Sequence, residues 1–150
     1  MKKVVIGSDH AGFTIKERIK EALGDRYQFI DVGTHSEERV DYPIYAEKVA
    51  QQVALNTDLQ GVLVCGSGIG VTITANKIPG VRAALAYSIH GAKLAREHND
   101  ANVVATAGRE STIDDPVQIV AAFLSTPFSG NPKYAQRVEQ IAEVEKRYLK

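Results

Sequence analysis

The chain predicts an α/β fold. The expected architecture is a three-layer sandwich: a five-stranded parallel sheet in the order 2-1-3-4-5, helices on both faces, and an extra C-terminal helix. Three observations carry this. Short apolar runs alternate with longer amphipathic stretches along the 150 residues, the pattern of repeated strand–helix units. The run Gly61-Val62-Leu63-Val64-Cys65 is almost continuously apolar, as a strand covered on both faces must be. A hydrophobic fraction of 44% against a charged fraction of 24% is ordinary for one globular domain with a real core.

The elements follow in order. Val4-Val5-Ile6 reads as the first strand, closed by Gly7-Ser8-Asp9, and Ser8 or Asp9 can cap a helix running to Leu23. Gly24 stands where a left-handed C-cap residue belongs. Tyr27 to Val32 reads as the second strand, and Gly33 to Asp41 as polar loop. Pro43 suits the first turn of a helix to Leu55. The third strand ends at Cys65, and the tight loop Gly66-Ser67-Gly68-Ile69-Gly70 leads into a helix to Lys77. Arg82 to Ala86 is strand four, Ser88 caps a helix to His98, and Asn102 to Thr106 is strand five. Asp115-Pro116 and Asn131-Pro132 open the last two helices, which run to Leu124 and Tyr148.

No repeat or domain linker interrupts residues 1–150, which read as a single domain. Ser125 to Pro132 is the only stretch rich in Pro, Gly and Ser. The helix beyond it, within residues 131–149, either packs on a second subunit or completes the monomer. Strand order 2-1-3-4-5 makes strands one and three neighbours at the point where the order reverses. Ligands collect there, at the carboxyl ends of the strands. Ser8-Asp9-His10 is therefore expected beside Cys65-Gly66-Ser67.

Composition narrows the classes of function. Lys+Arg and Asp+Glu both number 18, so the net charge is zero, which argues against a general nucleic-acid binder. A single cysteine cannot form an internal disulfide and fits a reducing, cytoplasmic setting. Met1-Lys2-Lys3-Val4-Val5-Ile6-Gly7 reaches a polar loop too soon for a signal peptide. No apolar run approaches the roughly 20 residues of a membrane helix.

The glycine loop is the strongest local signal. It is neither a P-loop nor the dinucleotide fingerprint: no Gly-Lys-Ser/Thr follows, and it comes after strand three. It either presents N–H groups to a small anion or a developing oxyanion, or is a turn whose glycines only permit close packing. Cys65 is either an inert core thiol or a thiolate stabilised by the donors around it. Asp9 is a helix cap or a proton-handling carboxylate, and His10 a surface residue or an anion ligand. The four histidines lack H-x-x-x-H spacing, so no metal is expected. His98-Asn99 closes a helix before strand five, at the amino end of the sheet. His98 can serve a site only in a neighbouring subunit. Otherwise it is a cation favourably placed at a helix C-terminus. Lys133 and Arg137 share a helix face, as a phosphate clamp or as solvated surface, and Arg109 is a further cation after strand five.

Taken together, the chain resembles the type B ribose-5-phosphate isomerases, within the wider group that includes the galactose-6-phosphate isomerases. The likeness lies in Gly7-Ser8-Asp9-His10-Ala11-Gly12-Phe13, Asp31-Val32-Gly33-Thr34, Asp41-Tyr42-Pro43, Cys65-Gly66-Ser67-Gly68-Ile69-Gly70, Ala75-Asn76-Lys77, Gly80-Val81-Arg82-Ala83, Arg96-Glu97-His98-Asn99-Asp100-Ala101-Asn102 and Arg137-Val138. It implies a Rossmann-like fold and a cofactor-free aldose–ketose isomerisation of D-ribose 5-phosphate to D-ribulose 5-phosphate. By this likeness Cys65 is the base, Ser67 assists it, and the amides of Gly66, Gly68, Ile69 and Gly70 hold the enediolate. His98 from a partner subunit, with Asp9, opens the sugar ring. His10, Arg109 and Arg137 bind phosphate, and Tyr42 and Asn99 contact the sugar. A homodimer is implied, or a dimer of such dimers.

The family usually carries Arg-His where this chain has Lys133-Tyr134, and a lysine loses the two-pronged grip of a guanidinium. A six-carbon substrate, allose 6-phosphate or galactose 6-phosphate, stays open beside the pentose. Two readings from other classes also stand: a flavodoxin-like module that binds a nucleotide phosphate without chemistry, and a redox-sensing thiol at Cys65.

Overall fold

The computed structural model describes Met1–Leu149. β1 (Lys2–Ser8) leads through a 3-10 turn (His10–Gly12) into α1 (Phe13–Leu23), and β2 (Tyr27–Asp31) follows. Then come α2 (Tyr42–Leu55), β3 (Gln60–Cys65), α3 (Ile69–Ala75), β4 (Ala83–Leu85), α4 (Ile89–Asn99), β5 (Val103–Ala107), α5 (Pro116–Ser125) and α6 (Pro132–Tyr148). All strand pairs are parallel. Alternation along the strands builds two cores. Val4, Ile6, Val62, Val64 and Val104 pack with Ile19, Ile119, Val120 and Phe123 under α1, α4 and α5. Val5, Leu63, Cys65, Val103 and Ala105 pack with Val49, Val53, Val71 and Ala75 under α2 and α3.

The three-layer parallel architecture is as expected, but the strand order is β2-β1-β3-β5-β4 rather than 2-1-3-4-5. The last two strands exchange places. β5 is five residues long and buried throughout, so it needs a neighbour on each side. β4 is three residues long with Leu85 40% exposed, which suits an edge. The exchange has a consequence for the site. Cys65 pairs in register with Ala107, so the residues after β5 arrive directly beside the glycine loop.

Two local expectations also change. Helix α1 is preceded by a 3-10 turn, with Asp9 accepting the Gly12 N–H at 3.0 Å. Gly24 has a right-handed φ of −68°. A β-carbon there would stand 2.6 Å from the Lys20 carbonyl oxygen, so glycine serves close approach and not handedness.

Candidate active site

Three strand ends converge at the carboxyl edge of the sheet. At the end of β1, the Ser8 N–H donates to the Gly33 carbonyl at 2.9 Å and the Thr34 N–H donates to the Ser8 carbonyl at 2.8 Å. This clips the loop after β2 onto the residue before Asp9. The Asp9 carboxyl is buried, its Oδ1 taken by the Gly12 N–H. The His10 Nδ1 receives the Val40 N–H at 3.1 Å and lies 3.2 Å from the Val40 carbonyl oxygen. Nδ1 thus faces both backbone groups of Val40, and Nε2 is the nitrogen left for a ligand.

The end of β3 is shaped by its glycines. Cys65 is 4% exposed, and its Sγ accepts the Gly68 N–H at 3.2 Å. Gly68 has φ +79°, and a β-carbon there would stand 2.7 Å from Leu85 Cδ1 and 2.9 Å from the Thr106 carbonyl oxygen. Only glycine meets both demands. The Ser67 Oγ accepts the Ile69 N–H at 3.2 Å, and the Tyr87 hydroxyl donates to the Ser67 carbonyl. A β-carbon on Gly70 would fall 2.5 Å from Cε1 and Cζ of Tyr42, so the Tyr42 ring lies flush on the loop. Two of the loop amides thus serve the site's own thiol and hydroxyl, and place those groups.

The end of β5 closes the site. The Gly108 N–H donates to the Cys65 carbonyl at 2.8 Å, and the N–H groups of Arg109 and Glu110 both donate to the Gly66 carbonyl at 3.0 Å. A β-carbon on Gly108 would meet the Ala11 carbonyl oxygen at 2.4 Å. The expected neighbourhood of Ser8-Asp9-His10 and Cys65-Gly66-Ser67 is therefore present. His10, Ala11, Thr14, Glu37, Gly108 and Arg109 line an open cleft of about 370 Å³ beside it. Among the described residues, no three His, Cys, Asp or Glu side chains are grouped to hold a metal ion.

The remaining candidates lie elsewhere. His98 and Asn99 end α4, which runs from the carboxyl end of β4 back to the amino end of β5. Lys133 and Arg137 project from the first turns of α6. The His98 ring stacks on Tyr134, with centroids 4.2 Å apart and planes 23° apart. The candidate residues thus fall into two groups, at opposite rims of the sheet.

Comparison with known proteins decides the family. The profile described as Ribose/Galactose Isomerase matches residues 4–141. The chain belongs to the ribose/galactose isomerase family. Among its members, ribose-5-phosphate isomerase B of Escherichia coli is 43% identical over 148 residues, covering 98% of this chain and 99% of that protein. The structure of ribose-5-phosphate isomerase B from Clostridium thermocellum superposes with a TM-score of 0.91 at 44% identity, over 97% of this chain and 99% of that one. The Mycoplasma genitalium enzyme, solved with bound ribulose-5-phosphate, gives a TM-score of 0.89 at 39% identity, over 96% of each chain.

For an isomerase of this family, the structure also exposes residues that pattern reading passed over. Lys16 is fully buried, its Nζ 2.6 Å from Asp31 Oδ2, and Lys20 reaches the same oxygen at 2.8 Å. Asp31 Oδ1 accepts the Gly33 N–H at 2.9 Å. Burial works to raise the Asp31 pKa, but hydrogen bonds from Lys16, Lys20 and Gly33 and the charge on Lys16 outweigh it and hold the carboxyl below its ordinary range. The hydrogen bond to Asp31 in turn raises Lys20 above its ordinary value, against the opposing effect of burial. Glu37, which accepts from the Thr14 hydroxyl at 3.0 Å, brings a carboxylate to the His10–Arg109 cleft. No sequence signal marked Glu37. The spacing of Lys16 and Lys20 on one helix face, with an acid closing the next strand, was available for the ion-pair cluster.

Proposed function

We propose that this chain interconverts D-ribose 5-phosphate and D-ribulose 5-phosphate, as a cytoplasmic homodimer that needs no cofactor. The carrying observation is the Cys65 thiol held by the Gly68 N–H where the ends of β1, β3 and β5 meet. The naming of its relatives and the ribulose-5-phosphate bound to one of them support the substrate.

The chemistry follows from the geometry. Cys65 as thiolate takes the proton from C2 of the open-chain aldose, and the electron pair moves to the carbonyl oxygen to form an enediolate. Ser67 and the loop amides of Gly66 and Gly70 stabilise the developing charge, an effect on the order of 3–4 kcal/mol per donor in comparable sites, while the Gly68 and Ile69 amides expected there by resemblance hold the thiol and the Ser67 hydroxyl in place. The proton returns to C1 while the C2 hydroxyl gives up its own proton, which passes to the C1 oxygen, so the C2 oxygen becomes the new carbonyl and the oxidation of C2 is balanced by the reduction of C1. Asp9, with an oxygen still free, and His98 of the partner subunit open the furanose ring. His10 and Arg109 bind the phosphate from one side, and Lys133 and Arg137 of the partner subunit from the other. Tyr42 and the partner's Asn99 orient the sugar hydroxyls. The separation of the two residue groups, at opposite rims of one chain's sheet, supports this sharing.

The test is ketose formation from ribose 5-phosphate by wild type and Cys65→Ser, with allose 6-phosphate and galactose 6-phosphate run alongside. Wild-type turnover of the pentose, lost in Cys65→Ser, is expected. Absence of wild-type turnover discards the activity, and full turnover in Cys65→Ser discards the base. Mixed Cys65→Ala and His98→Ala chains should regain activity; mixed dimers without activity discard the shared site.

A further inference from the structure

We infer that Tyr134 is a positioning residue: its ring is the platform that orients His98 and gathers the cations of Lys133 and Arg137 for phosphate. The inference rests on the proposed roles of those three residues and assigns the fourth, which lies between them and which those roles leave unused.

The observations converge on one ring. The His98 imidazole stacks on it at 4.2 Å and 23°, an arrangement favourable for offset aromatic pairs. The Lys133 Nζ stands 4.9 Å from its centroid and the Arg137 guanidinium carbon 5.9 Å, both within cation–π reach. Neither cation is paired with a carboxylate among the described residues. Two like charges one helical turn apart repel each other. The negative face of the ring offsets that repulsion without supplying an anion that would compete with phosphate. The chain brings the ring there deliberately. The Ser129 N–H donates to the Glu97 carbonyl at 3.3 Å, tying the connection before α6 to the residue before His98. Asn131 caps α6 through the Lys133 N–H at 3.1 Å. At the far end, both Glu145 carboxylate oxygens accept the Gly80 N–H at 3.0 Å. No residue of α6 is buried, so the ring is not there to fill a core.

The experiment compares Tyr134→Leu with Tyr134→Phe in the full-length dimer. Readouts are the KM and kcat for ribose 5-phosphate, the inhibition constant of inorganic phosphate, and the proton chemical shifts of the His98 ring. Tyr134→Leu should raise KM and the phosphate constant about 3- to 10-fold, the factor expected when exposed cation–π contacts are lost. Its His98 ring protons should lose the upfield displacement that stacking imposes. Tyr134→Phe keeps the ring and should restore all three. Unchanged phosphate binding and unchanged His98 shifts in a folded Tyr134→Leu dimer overturn the inference, as does a folded Tyr134→Phe that fails like Leu. Should Tyr134→Leu not fold, the wild-type His98 shifts and Tyr134→Phe decide: ring protons without upfield displacement, or a Phe variant with weakened phosphate binding, overturn it. The phosphate constant and the shifts need no turnover. Failure of the isomerase reading would therefore appear separately, as wild type without activity.

Discussion

Exchanging Asp31 for Asn, and separately Lys16 for Met, should have unequal costs. The Lys16 side chain is 0% exposed, Asp31 12% and Lys20 31%. Asp31→Asn leaves the Lys16 ammonium sealed in the fold with only Glu17 at 3.2 Å, and Glu17 is 44% exposed. Removing one partner of a buried ion pair typically costs about 3–5 kcal/mol. In a domain of this length 1 kcal/mol corresponds to roughly 2–4 °C, so the melting temperature should fall by about 6–20 °C. Lys16→Met keeps most of the aliphatic packing and leaves Asp31 bonded to Lys20 at 2.8 Å and to the Gly33 N–H at 2.9 Å. Its cost should be about 1 kcal/mol or less, as for a volume-conserving core exchange. The double variant should recover much of the Asp31→Asn loss. Thermal and urea unfolding at one protein concentration, which holds any contribution from association constant, gives all four corners of the cycle. Equal costs for the two single variants, or no recovery in the double, would refute the idea that a sealed lysine depends on this carboxylate.

Acid should remove the same contribution. The Asp31 carboxyl is held below its ordinary value of 3.8, so its stabilisation is complete above that value and is lost as pH falls through the lower, folded one; acid titration followed by circular dichroism should show wild type losing stability below about pH 4 and Asp31→Asn lacking that component. Asp9→Asn keeps an acceptor for the Gly12 N–H but removes the charge, so its melting temperature should stay near wild type while turnover of ribose 5-phosphate drops at least about 10-fold. Gly68→Ala should lose about 1–3 kcal/mol in urea unfolding, because an alanine at φ +79° is strained and its β-carbon meets the Thr106 carbonyl oxygen at 2.9 Å. Gly70→Ala meets the outer end of the Tyr42 side chain at 2.5 Å and no backbone atom among its nearest neighbours; its stability should stay within about 1 kcal/mol of wild type, since alanine favours the helix, while KM rises severalfold.

Much of the fold was legible because its signals are local. Asp115-Pro116 and Asn131-Pro132 open α5 and α6 where their capping chemistry puts them, and the apolar run to Cys65 marks the central strand. Strand order was harder, since it depends on which strand can be covered twice. Arg82 to Ala86 and Asn102 to Thr106 look alike as short strands, and only the three-residue length of β4 separates an edge from an interior position. Within the site, the meeting of Asp9-His10 with Cys65-Gly66-Ser67 followed from the β1–β3 neighbourhood, which the exchange of β4 and β5 leaves intact. Contacts between side chains remote in sequence were not legible. The Val40 bond to His10 and the stacking of Tyr134 on His98 each join residues that no period or motif connects.

The seventeen residues of α6 contribute nothing to the interior, while the thiol, its strand and its glycines are wedged between layers. Mutational tolerance is therefore divided unevenly between the two halves of the proposed machinery. The proposed anion recognition on α6 is free to drift toward other substrate lengths at little cost to folding. The proton-transfer half can change only by rebuilding the centre of the sheet.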